Sequence, residues 1–287
     1  MSLDAWAVSA LLSVGFVTAG AVGQSWGPVS RARLARFASR HRLAITAHNG
    51  ERVIRYLALT RRWRAAGLIL GAVASALAAY GRDVLRIDLL ALLAGWFVGA
   101  LVAEVRLAAQ NGALTGSARA RPERRTASLR PRGHRDYLGP VPRLLLPAAV
   151  LVSTGTAAVT VVTGGGVGWR YVSAWLLGLA VAGAVGWVAR RVLRRPQPLL
   201  PADELAADEA IRSRSLHVLY AAAATLVLYC VLAQLDVLRS LLAPDSSGYS
   251  TLQAIGAVGT VAVPLLGWLV ATARWTVRAP SPLPVAA

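Results

Sequence analysis

The chain is 287 residues long, 56% hydrophobic with a mean hydropathy of +0.53, and only 15% charged, against about 25% in an average globular chain. Its formal net charge is nevertheless +18, from 31 basic and 13 acidic residues, and every basic residue is arginine. So much apolar sequence excludes a disordered polyelectrolyte and argues against a soluble nucleic-acid-binding domain; arginine-dense stretches between long uncharged ones are the pattern of a multi-pass membrane protein.

A helix needs about 20 mostly apolar residues to cross ~30 Å of hydrocarbon. Seven windows meet this requirement: residues 5–22, 65–80, 87–105, 144–162, 171–189, 216–235 and 251–273. None has an ionisable residue near its centre, where a charge costs at least about 2.5 kcal/mol. Asp88, Glu104 and His217 fall close to an end. Period-2 alternation is missing, so strands are not expected.

In chain order, the first window carries Ala19-Gly20-Ala21, which looks like a signal-peptidase site. Asp4 precedes it and nothing basic does before Arg31, so an uncleaved helix is the expectation. Gly23-Gln24-Ser25-Trp26-Gly27 matches the nucleophile-elbow string, but that motif needs a strand before its serine; here a membrane helix precedes it. Residues 29–64 read as two short helices divided at Asn49-Gly50. The second, over 51–60, groups Val53, Ile54 and Leu57 as an interfacial helix that runs on through Arg61, Arg62 and Arg64 into the membrane. Arg31, Arg33, Arg36, Arg40, Arg61, Arg62 and Arg64 are candidate contacts to anionic headgroups.

Helices in lipid associate through small residues, because the tails are as apolar as leucine. The second window has Gly67, Gly71 and Ser75 at four-residue steps, and the third has Ala91, Gly95 and Gly99. Gly67, Gly71, Gly95 and Gly99 are therefore expected to pack these two helices as a close antiparallel pair. The following loop, from Gln110 to Pro142 and rich in Gly, Ser, Pro and Arg, is expected to be mostly irregular. In the fourth window Ser153, Thr156, Thr160 and Thr163 share one helical face. They either wall a substrate path or bond to a neighbour and to their own helix.

The third long loop opens with prolines and then reads as a solvated helix from about 202 to 215. Asp203 and Glu204 suit its positive end, and Asp208 pairs with Arg212 at four-residue spacing. Cys230 is the single cysteine and reads as a small apolar side chain. Pro264 is placed to kink the seventh helix. Gly95-Trp96, Gly186-Trp187 and Gly267-Trp268 recur on the returning helix of each of three hairpins, a candidate internal repeat. His41, His48, His134 and His217 lack metal-ligand spacing, so no metal, cofactor or catalytic group is expected.

Orientation follows from the arginines. Residues 23–64, 106–143 and 190–215, the window edges and the tail hold 27 of the 31, and the alternate connections hold Arg82, Arg86, Arg170 and Arg239. The positive-inside rule makes the first set cytoplasmic, with the N-terminus outside and the C-terminus inside, which suits an odd number of spans.

Four loop stretches carry a resemblance: Arg-Tyr-Leu-Ala-Leu-Thr-Arg-Arg-Trp-Arg (55–64), Ala-Glu-Val-Arg (103–106), Ala-Ser-Leu-Arg-Pro-Arg (127–132) with Asp136-Tyr137-Leu138, and Arg-Pro-Gln-Pro (195–198) with Ala-Ile-Arg-Ser-Arg-Ser-Leu-His (210–217). In these the chain resembles uncharacterised multi-pass integral membrane proteins of high-GC Gram-positive bacteria. The resemblance implies the membrane class and no activity. The expectation is thus an all-α, polytopic bundle, one membrane domain over 1–287, in the plasma membrane. Its expected role is a non-catalytic membrane-embedded partner or scaffold, bound to anionic lipid and to a membrane or cytoplasmic protein. The rival is a transporter or permease subunit for a neutral or lipidic substrate.

Overall fold

The computed structural model describes residues 14–23, 25–78, 88–117, 133–162, 168–194 and 201–272. The expected first span before Val14, the outer connection at 79–87, Thr163, residues 118–132 and the stretch beyond Thr272 lie outside them. The described regular structure is helical throughout. In chain order it comprises α1 (Val14–Gly23), α2 (Arg31–His41), α3 (Ala47–Ala78), α4 (Leu89–Ser117), α5 (His134–Tyr137), α6 (Pro140–Val162), α7 (Trp169–Arg194), α8 (Ala202–Ser240) and α9 (Ser247–Thr272).

Among the described residues, five helices are long and apolar enough to cross a membrane: α6 to α9 and the Leu89–Leu107 part of α4. Their burial is uneven. Of the most apolar stretch of α8, 78% is buried, against 11% in α9. α8 is the hub, packed by α7, α9 and α6 and, less extensively, by α4 and α3. Around it α6 and α9 turn Leu144, Leu151, Val159, Val258, Val261 and Leu265 outward. A soluble monomer rarely exposes so continuous an apolar surface, which points to embedding in a bilayer.

α3 and α4 form the most extensive helix pair. They run antiparallel, with Gly67 against Gly95 and Gly99, Gly71 against Ala91 and Gly95, and Gly99 against Trp63. A methyl group at any of the four glycines would overlap a backbone carbonyl oxygen of the partner helix. The backbones touch because these positions have no side chain. Ser75, on the same ladder, accepts the Asp88 N–H at 2.6 Å.

The hairpins are not packed alike. α6 and α7 touch little and each docks on α8 instead. Of the three Gly-Trp glycines, Gly95 meets α3, Gly267 meets Thr225 of α8, and Gly186 has nothing within 4 Å of an added methyl group. Pro264 lies inside α9 and has no N–H for the Thr260 carbonyl four residues back. Tyr229 of α8 supplies the missing donor, its Oη 2.7 Å from that oxygen.

Three expectations need correction. Residues 29–64 do not divide at Asn49-Gly50. α2 stops where Arg42 takes a left-handed conformation (φ 49°) and Leu43 N–H reaches back to the Ala38 carbonyl at 2.9 Å. α3 then starts at Ala47, with Thr46 and Asn49 as reciprocal caps: Thr46 N–H donates to Asn49 Oδ1 (2.9 Å) and Asn49 N–H to Thr46 Oγ1 (3.2 Å). What reads as a breaker in sequence is the third residue of a helix. The segment 51–60 is therefore no separate interfacial helix but the start of α3, with Val53 and Tyr56 fully covered.

The second loop opens as helix, since α4 continues to Ser117. The third is corrected in its environment. Residues 202–215 continue without a break into α8, and Asp208, Arg212, Ser213 and Ser215 are buried rather than solvated. Arg212 and Asp208 do pair, at 2.8 Å, but inside the protein, with Arg212 also donating to the Val192 carbonyl at 3.2 Å. A buried pair holds only if its remaining groups are also bonded, and the α7 carbonyl contributes to that.

Candidate functional site

Among the described residues, the arginine-bearing starts of α2, α3 and α8 come together at one end of the bundle. Phe37 of α2, Leu43 just beyond it, Val53 and Tyr56 of α3, Leu107 of α4, and Ala207, Ala210 and Ile211 of α8 form one apolar cluster there. Thr46 Oγ1 donates to Asp203 Oδ2 at 2.6 Å and Asn49 Nδ2 to the Asp203 carbonyl at 3.3 Å, fastening the start of α3 to the start of α8. Arg52 and Glu204 add a half-exposed ion pair at 3.7 Å. The basic end is thus a folded cap made by helices that outrun their apolar stretches.

Beneath this cap lies a cavity of about 580 Å³ between α1, α2, α3, α4 and α8. Its lining combines two chemistries. Arg33, Arg36, Arg40, Arg64 and Arg214 supply guanidinium groups beside His41, Tyr56 and Thr60; Phe16, Val17, Leu68 and Trp96 supply apolar side chains. The Arg64 guanidinium lies 5.2 Å from the Trp96 ring centre, a cation–π approach at the junction of the two. Arg64 Nε and His41 Nδ1 are buried there without a hydrogen-bond partner. Arg214 donates to the Ala271 carbonyl at 2.5 Å, an oxygen near the described end of α9.

Electrostatics in the cavity favour an anion. Burial, then the charges of Arg214, His217 and Arg40, push the His41 imidazole down to about 4, so it is neutral near pH 7. Burial and the nearby Glu104 carboxylate raise the Tyr56 phenol above its ordinary value, and its Oη lies 3.2 Å from Ser215 Oγ. The Tyr56 hydroxyl therefore stays protonated and can serve as a donor.

The sequence-predicted arginines divide accordingly. Arg33, Arg36, Arg40, Arg61 and Arg64 line the cavity, whereas Arg31 and Arg62 are exposed and do not. Arg61 closes one side, donating to the carbonyls of Ser25 (3.0 Å) and Gly27 and so tying the α1–α2 connection to α3. Arg214, Tyr56, His41 and Trp96 were missed as members of this site. No spacing rule joins positions from four helices; the weak signal was the clustering of arginines before the second span and before the sixth.

The polar face of α6 is placed elsewhere, among helices. Ser153 donates to Gln234 Oε1 at 3.3 Å, and Thr156 Oγ1 lies 3.0 Å from the same oxygen. Thr160 Oγ1 lies 3.0 Å from Tyr171 Oη. Comparison of the chain with known protein families, with curated proteins and with solved structures finds no match. The site must therefore be read from its own geometry.

Ser25 and His217, the remaining candidates for chemistry in the sequence, engage in local bonding. Ser25 is buried and its hydroxyl donates to the Ala21 carbonyl one turn back. His217 Nε2 faces the Gly139 N–H at 3.5 Å and Nδ1 the Ser213 carbonyl at 2.9 Å, which fixes its tautomer and pins the turn after α5 to α8. Among the described residues no group of three His, Cys, Asp or Glu is placed to hold a metal ion.

Proposed function

We propose that the chain is a non-catalytic, membrane-embedded scaffold or partner protein of the plasma membrane, with seven spans, the N-terminus outside and the basic cap in the cytoplasm. The observation that carries the reading is the closure of the α6 face. Among the described residues, the Ser153, Thr156 and Thr160 hydroxyls are engaged by Gln234 of α8 and Tyr171 of α7. Polar groups in a bilayer hold helices together in this way at about 0.6 kcal/mol per contact. A permease subunit would instead keep such groups turned toward water, so the same bonds weigh against transport. The cap supports a partner role, because it carries ordered side chains beyond the bilayer on rigid extensions of α3 and α8.

Cysteine accessibility in intact vesicles tests this reading. In a Cys230→Ala background, Ser153→Cys and Thr156→Cys are expected to resist small water-borne thiol reagents, while Arg62→Cys reacts from the cytoplasmic side. Rapid labelling at position 156 would support the transporter instead. A C-terminal reporter found outside the cell would refute the orientation.

A further inference from the structure

The geometry points to the cavity beneath the cap as a binding site for the phosphate headgroup of a single anionic lipid. This inference rests on the bilayer embedding proposed above but not on the scaffold role. Diffuse attraction between arginines and a charged surface needs neither a concave site nor buried donors, and this half-open cavity supplies both. Arg40 comes from α2, Arg64 from α3 and Arg214 from α8, so three elements direct guanidinium groups into about 580 Å³. Arg64 Nε and His41 Nδ1 are already desolvated and unpartnered, and a phosphate oxygen is an acceptor suited to the arginine. Thr60 and Tyr56 add hydroxyls to the lining.

The shared chemistry is a phosphate ester, and the apolar part of the lining decides its source. Phe16 and Val17 of α1, Leu68 of α3 and Trp96 of α4 add apolar side chains to the same cavity, with Phe16 largely exposed. A soluble phosphate leaves those side chains wet, whereas a lipid covers them with glycerol and acyl carbons while its phosphate meets the arginines. Trp96 joins the two sets of side chains through its 5.2 Å approach to the Arg64 guanidinium.

The test is native mass spectrometry of the full chain in a neutral detergent, adding phosphatidylglycerol, phosphatidylcholine or inorganic phosphate one at a time. One phosphatidylglycerol per chain should survive detergent removal, phosphatidylcholine should not, and inorganic phosphate should not displace the bound lipid. Arg64→Gln and Arg40→Gln should each weaken retention by about tenfold or more, as expected for a lost charge-assisted hydrogen bond. Arg31→Gln and Arg62→Gln, outside the cavity, should change it by less than about twofold. Arg40→Gln, at the partly exposed rim, keeps the test decisive if the Arg64 variant fails to fold.

Equal retention of phosphatidylcholine would overturn the site, and so would equal losses from Arg31→Gln and Arg40→Gln, which would mean surface charge alone. Displacement by inorganic phosphate would overturn the lipid and assign the cavity to a soluble anion. Failure of the embedding reads out separately, as release of the chain from membranes by alkaline carbonate.

Discussion

His41 packs 4.7 Å from the Phe37 ring, centre to centre, and is held neutral by burial and by Arg214, His217 and Arg40 around it. Because its folded pKa of about 4 lies below the ordinary 6.5, the unfolded chain binds the extra proton between those values. Its contribution is therefore complete above pH 6.5, falls as the pH drops toward 4 and changes no further below. The loss approaches about 3 kcal/mol at the acid end of that window. Thermal unfolding in detergent should show this as a steeper slope in wild type than in His41→Gln; parallel profiles would contradict the assignment. Nothing in the sequence around His41 signals such a shift, since Arg214 and His217 lie far along the chain and arrive only through folding. The Asp208–Arg212 pair, by contrast, was legible from spacing alone, although its burial was not, because that depends on α7 covering α8.

Helix ends were harder to read than helix cores, for a related reason. The apolar windows located the middles of the helices, but the starts of α3 and α8 are set by contacts in the cap that hydropathy does not register. The glycine ladder was legible because four-residue spacing is the contact geometry itself. Gly67→Leu and Gly99→Leu should each destabilise the protein by about 3 kcal/mol or prevent folding, since the obstruction is backbone that cannot move aside. Gly186→Leu and Gly155→Leu, with open space beside them, should stay within about 0.5 kcal/mol. Detergent denaturation curves showing equal effects at both sets would contradict the α3–α4 packing. A second element-scale prediction concerns Tyr229. Tyr229→Phe should cost about 1 kcal/mol in wild type and close to nothing in a Pro264→Ala background, where the new amide takes over the Thr260 carbonyl. Additive losses in that double-mutant cycle would mean that Tyr229 does not replace the bond removed by proline.

At the scale of the whole molecule, α8 organises everything else: α6, α7 and α9 pack around it, and its first turns form the base of the cap with α3. The all-helical class and the presence of several helices long and apolar enough to cross a membrane followed from composition and hydropathy. The cavity did not, because it exists only where four helices and the α1 segment converge. A scaffold requires above all that the bundle be closed to water around α8. Hydrogen–deuterium exchange of the full chain in lipid nanodiscs tests this most directly, since backbone amides exchange only where the structure opens to solvent. The amides over 216–235 should stay protected for hours, while those near the start of α2 exchange much sooner. Exchange over 216–235 within minutes, at the rate of the α2 amides, would show a bundle that opens to water and would contradict the scaffold role.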